Sequence, residues 1–328
     1  MLNFRFLNPE IFQGSIQNKN YFEGWYYKVI TRDEKTLLSV IPGISTAKGD
    51  GHSFIQVIQP HPGRTAYVRY PLESFTASKR HLTIGIRDNS FTERGMALNI
   101  QSPEASLKGA LEFTDIIPFP KSVFRRGIMG PFGYVPFMEC YHGIVSIHHR
   151  VNGILEIDGS KIDFGGGTGY IEKDWGRSFP SAWIWFQSYF ADSNTTVMFS
   201  VADIPFMKSR FCGILAFLYF GGKYYSIATY NGAKIKAYSL DGHGFSIRLQ
   251  NRKYELYLKA DYTESGLLKA PVKGLMQRDI GETLNARSFT AFRAIGGETL
   301  FQGQNEHTGL EICGDVQNVF GRAKPPLS

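Results

Sequence analysis

The sequence lacks most of the signals that sort a chain quickly into a class. Only three cysteines, Cys140, Cys212 and Cys313, occur in 328 residues, at unpaired spacings. An odd set cannot close on itself, which argues against a disulfide scaffold and for a reducing compartment where these residues pack as small apolar groups. Long apolar runs are missing too. The most apolar stretch, Phe211 to Phe220, is about half a membrane span and reads as a buried strand. The opening MLNFRFLNPEIFQ has no continuous apolar core behind a basic start, so no secretory leader is expected. Neither HExxH nor a paired-cysteine metal spacing is present. The FGGGTGY run lacks the Lys-Ser/Thr of a phosphate loop, and no nucleophile elbow is visible. A hairpin turn is the better reading of FGGGTGY, and no metal is expected. Charge is also unconcentrated. The formal net charge of +7 is spread along the chain, its tightest group being Lys121, Arg125 and Arg126. That excludes a nucleic-acid groove reader and leaves at most loose, peripheral membrane contact for a cytoplasmic protein.

What the chain has is aromatic residues and glycine: 26 Phe, 17 Tyr and 35 Gly. Such a composition suits many short strands joined by tight turns, and no helical pattern is long enough for a crossover unit, so an all-β fold is expected. The length predicts two domains, 1–175 and 176–328, meeting near residues 175–180. YFEGWYYKVI (Tyr21–Ile30) reads as a first strand, with Tyr21, Glu23, Trp25 and Tyr27 on one face and Phe22, Gly24, Tyr26 and Lys28 on the other. A meander follows, then a Pro-, Gly- and aromatic-rich segment from Ile116 to Gly143, which reads as a long ordered loop. GIVSIHHR and Gly153–Asp158 are expected as separate strands. A second meander fills the later half, and its opening SAWIWFQ echoes EGWYYKV as a Trp-bearing first strand.

The densest chemistry lies in TGYIEKDWGRSFPSAWIWFQ, Thr168 to Gln187. Strand alternation puts Tyr170, Glu172 and Asp174 on one face and Lys173 and Trp175 on the other. Two carboxylates on one face lie close enough for one to keep the other protonated, which makes Glu172 and Asp174 candidate acids. The plain alternative is an ion-pair cluster with Lys173 or Arg177. Glu23 is a further candidate because of its aromatic setting, with a solvent-facing strand residue as the alternative. Trp25, Tyr26, Tyr27, Trp183, Trp185 and Gln187 could line an apolar pocket, where each tryptophan face would stabilise a cation by roughly 0.5–2 kcal/mol. Core packing is the alternative for each. Along one strand His142 and His148 share a face and Glu139 and His149 the other, so this set does not converge on a metal. His142 remains a candidate proton relay.

The blocks YFEGWYYKV, MGPFGYVPFMECYHGIVSIHH and GYIEKDWGRSFPSAWIWFQS resemble the tocopherol cyclase family in its bacterial branch, and APVKG, LFQGQ and GLEICGD extend the likeness toward the C-terminus. The resemblance implies a calycin fold, two lipocalin-like antiparallel barrel or sandwich domains packed together. It also implies a reaction: acid-catalysed, cofactor-independent cyclisation of a prenylated hydroquinone to a chromanol. Glu23, Glu139 and Glu172 occupy the family's acid positions. Plant-like members carry Asn at the Asp174 position, which makes Asp174 a helper to Glu172. Relatives on this fold hydrate carotenoids or organise other cyclisations, so a hydratase, another terpenoid cyclase or a non-catalytic isoprenoid-binding protein stand as alternatives.

Overall fold

The computed structural model describes residues 7–59, 63–122, 125–206, 209–262 and 264–322. Residues 1–6 of the segment weighed above as a leader lie outside them. The chain divides into two compact units, Met1–Phe179 with Leu267–Asp279, and Pro180–Gly266 with Ile280–Ser328. Both are built from antiparallel strands, as the composition predicts. Among the described residues no helix is long and apolar enough to cross a membrane.

The first sheet has twelve strands. Its first five are β1 (Phe22–Ile30), β2 (Leu37–Ser45), β3 (His52–Ile58), β4 (Thr65–Pro71) and β5 (Phe75–Ala77). The next four are β6 (Thr83–Ile86), β7 (Asn89–Thr92), β8 (Gly95–Gln101) and β9 (Ser106–Pro118). Then come β10 (Cys140–Ile157), β11 (Ser160–Asp163) and β12 (Gly167–Gly176). The strand order is β4-β3-β2-β1-β12-β10-β9-β8-β7-β6-β5, with β11 pairing β10. The edge strands β4 and β5 are consecutive in the chain, joined by the turn Leu72–Ser74, and one of the two sheets forms a nearly closed barrel. The core of the first sheet takes alternate residues: Trp25, Tyr27 and Val29 from β1, Ile171 from β12, and Phe91, Phe113 and Leu155 from strands farther round. The β10–β11 hairpin turns at Asp158-Gly159, both left-handed (φ 48° and 83°), where an Asp-Gly pair suits the strand twist.

The second sheet has ten strands: β13 (Trp183–Phe190), β14 (Thr195–Phe206), β15 (Ser209–Phe220), β16 (Lys223–Ala228) and β17 (Lys234–Asp241) open it. The others are β18 (Gly244–Gln250), β19 (Tyr254–Asp261), β20 (Gly266–Val272), β21 (Leu275–Ala294) and β22 (Thr299–Cys313), followed by the helix α1 (Val316–Arg322). Its order, β16-β15-β14-β13-β22-β21-β19-β18-β17, repeats the winding of the first sheet. In each, the first strand pairs with the second and with the last. The echo between EGWYYKV and SAWIWFQ therefore marks equivalent strands.

Two local expectations change. GIVSIHHR and Gly153–Ile157 belong to one strand of 18 residues, β10, which absorbs irregularity through register shifts around Ser146 and His148 and a left-handed Gly153 (φ 123°), while Asp158 enters the turn. The segment Leu267–Asp279 is counted with the first unit because side chains of β2 and β3 hold it. Ser45 Oγ donates to Gly274 O (2.6 Å), and the Gln56 amide exchanges two hydrogen bonds with the backbone of Lys269 (2.7 and 3.1 Å). The aromatic segment after β9 carries one short helical turn, Gly130–Tyr134, before β10 begins.

Candidate functional site

Strand β12 lies between β1 and β10, and its alternation divides the motif as expected. In register, Asp174 stands between His142 and Gly24, Glu172 between Ile144 and Tyr26, and Tyr170 opposite Lys28. All of these share one face. The other face carries Lys173 and Trp175, with Glu23, Trp25 and Tyr27 from β1 and Tyr141 from β10.

On the first face four side chains form a chain of contacts. Asp174 Oδ1 accepts from His142 Nδ1 at 2.9 Å. The other ring nitrogen, Nε2, lies 3.7 Å from Glu172 Oε2. That same oxygen accepts the Tyr170 hydroxyl at 2.6 Å. Glu172 is 4% exposed and Tyr170 buried, whereas the Asp174 side chain keeps 26% of its surface. Burial and the adjacent carboxylate push the Tyr170 phenol well above its ordinary range, so it stays a donor. Cys140, beside Asp174, is driven up by burial and by the same carboxylate, which makes it an inert thiol. Tyr26 and Lys28 are buried on this face as well. Tyr170 and Lys28 were readable from the alternation pattern, since they stand two residues before Glu172 and two after Tyr26.

The opposite face is a closed structural clasp. Lys173 and Glu23, both fully buried, form an ion pair. Glu23 also accepts from the backbone of Gln13 (2.9 Å) and Gly14 (3.0 Å) and from the Tyr21 hydroxyl. Lys173 Nζ donates to the carbonyls of Pro9 (2.7 Å) and Ile11 (2.6 Å) and sits 4.9 and 4.7 Å from the ring centroids of Trp25 and Trp175. Burial pulls the Lys173 ammonium down to about 8 against the opposing attraction of Glu23. The clasp fixes the N-terminal arm, whose Phe12 packs edge-on against Phe75 and beside Trp25.

The residues singled out in the sequence therefore separate. Glu172, Asp174, His142 and Tyr26 come together. Glu23, Trp25 and Tyr27 lie on the far face of the same sheet, in the clasp and the core, because β1 alternates. Glu139 is exposed just before β10, and its carbonyl accepts from the backbone of Arg177 and Ser178. In the second unit Trp183, Trp185 and Gln187 share one face of β13, all buried, opposite the core-facing Ile184 and Phe186. The Trp183 indole donates to Glu311, and Trp185 lies against Gly309, where an added Cβ would come within 2.8 Å of its ring.

His148 and His149 are core histidines. Burial lowers them to about 4 and about 3. His149 Nδ1 meets Ser146 Oγ at 2.9 Å, and its ring packs on Phe113 and over Gly169, where any Cβ would overlap it. The metal expectation was weighed along β10 alone. Across strands, ligand atoms of His142, Glu172 and Asp174 fall within 4.8 Å of one another, a grouping able to hold a cation. Hydrogen bonds already engage part of the group, His142 Nδ1 to Asp174 Oδ1 and the Tyr170 hydroxyl to Glu172 Oε2.

Comparison with known proteins places the chain in a family. The family model described as tocopherol cyclase-like matches residues 110–314, which includes β10 and β12, and the chain belongs to that family. A protein of Oryza sativa subsp. japonica named "Probable tocopherol cyclase, chloroplastic" is 26% identical over 153 residues, 45% of this chain and 32% of that protein. The match thus spans about a third of the rice protein's length. Among solved structures, CghA covers 90% of this chain and 89% of its own, with 12% identity and a TM-score of 0.56. Kievitone hydratase from Nectria haematococca covers 89% of each chain, with 10% identity and a TM-score of 0.52. At these identities the likeness is one of fold, the all-β, lipocalin-like kind expected.

Proposed function

We propose that the protein is an acid-catalysed intramolecular cyclase acting on a prenylated hydroquinone. The observation that carries the reading is the run Tyr170–Glu172–His142–Asp174, in which a buried carboxyl faces an imidazole whose other nitrogen is bound to a second carboxylate. Glu172 gives its proton to the nearest trisubstituted double bond, forming the tertiary cation. The phenol oxygen attacks that carbon and closes the ring, and its proton passes to His142 Nε2. Asp174 holds Nδ1 protonated, so Nε2 is the nitrogen left to accept, and it stabilises the imidazolium that forms. Return of the proton across the 3.7 Å gap to Glu172 restores the starting state, and the product is an isomer of the substrate. No redox step is needed. Family membership and the cyclase name of the rice relative support the same reading.

The test is a panel of prenylated hydroquinones incubated with the purified protein and read by mass and retention time. A product of unchanged mass and shifted retention is expected. A product heavier by one water would make the protein a hydratase, and a retained but unconverted quinol would make it a binding protein.

A further inference from the structure

Gly24 is a glycine that the backbone does not require. It lies inside β1, hydrogen-bonded to strands on both sides, where glycine is less stable than alanine by about 0.5–1 kcal/mol. Its φ is not left-handed. A Cβ there would meet its nearest neighbours, Pro42 O, Ile41 Cγ2 and Phe54 Cζ, at 3.7, 3.8 and 4.0 Å, ordinary contact distances. Gly43 and Gly169 differ, since a Cβ at either would drive into an aromatic or imidazole ring. A strand glycine with neither need often marks a place where a ligand comes close.

Its position gives that room a use. One row across five strands reads His142, Asp174, Gly24, Gly43 and Phe54. The Phe54 ring leans over Gly43, so the row has a relay at one end, an aromatic wall at the other and a gap at Gly24. Gly24 is also the most accessible residue of β1, whose other members are all buried. Asp174 beside it, His142 one strand farther and Ile41 of β2 are likewise partly accessible, as are Tyr141 and Cys140 next to His142. The accessible stretch on this face therefore includes the position without a side chain.

We infer that Gly24 is a specificity-determining residue: the gap between Asp174 and Phe54 seats the branched apolar group carrying the double bond, and its size limits what reaches the acid. This rests on the acid-relay reading above. Gly24→Ala, Gly24→Leu and Glu172→Gln are compared with the parent protein on one prenylated-hydroquinone panel, with binding read by calorimetry and turnover by mass. Gly24→Ala should raise Kd and KM by about tenfold, in keeping with the value of one methylene in an apolar site, and Gly24→Leu by more. Their thermal midpoints should stay near the parent's. Should Gly24→Leu not fold, the smaller Gly24→Ala step is the measure.

Both Gly24 variants binding and converting every quinol as the parent does would overturn the slot and leave the acid assignment standing. Weakened binding in the Gly24 variants alongside an active Glu172→Gln would do the reverse. A parent protein that binds no panel member would overturn both.

Discussion

The two faces of β12 place the same residue types a few ångströms apart and give them opposite fates. On one face Lys173 and Glu23 are fully buried and tied to the N-terminal arm by backbone hydrogen bonds. Nothing there is left to react. On the other face Glu172, His142 and Asp174 are linked by one hydrogen bond and one 3.7 Å approach, and Asp174 reaches solvent. The difference teaches that a buried acid in an aromatic setting is not yet a proton donor. Glu23 has the setting and spends its charge on a lysine. Glu172 has an imidazole and a second carboxylate beside it, the relay proposed above.

The comparison breaks most sharply at Glu172. Glu172→Gln should lower turnover by about 10²–10⁴, the usual contribution of a general acid, while the thermal midpoint stays near that of the parent. The clasp should respond the other way. Lys173→Met leaves Glu23 buried without its cation and should cost about 3–5 kcal/mol in a denaturant titration, with the Glu23→Gln, Lys173→Met double variant recovering part of it. A clasp variant with parent stability would show that the two faces are not divided in this way.

The histidines of β10 sharpen the contrast at a smaller scale. His148 and His149 are held neutral by burial, at about 4 and about 3, whereas the unfolded chain protonates near 6.5. As pH falls from 6.5 toward 4 the unfolded chain binds more protons, so stability present above 6.5 is lost, by up to about 1.4 kcal/mol per pH unit for each group. Denaturant titrations across that range, with the imidazole signals followed by NMR, check both the slope and its owners. Smallest of all is the expected effect of chelation. EDTA should leave turnover unchanged, and a loss restored by a divalent cation would turn the His142, Glu172 and Asp174 group into a metal site.

Much of this was legible in the residues. Period-2 alternation placed Tyr170, Glu172 and Asp174 together and Lys173 apart, and aromatic and glycine content gave the all-β fold. What alternation along a single strand cannot show is which strands lie beside it. His142 is 32 positions from Asp174, and Gly24 is farther still, so their meeting depends on β1 and β10 flanking β12. The same gap hid the ion pair of Lys173 with Glu23, because Lys173 was weighed as a partner for its own neighbours in the motif. It also hid the cross-strand ligand grouping, since the metal question was asked along β10 alone.

The central claim is that a proton from this relay ends on carbon. Turnover in D₂O tests it most directly. The account predicts a cyclised product carrying one non-exchangeable deuterium per molecule, formed by the parent protein and lost with Glu172→Gln. Cyclised product without deuterium, or undiminished deuterated product from Glu172→Gln, would contradict it.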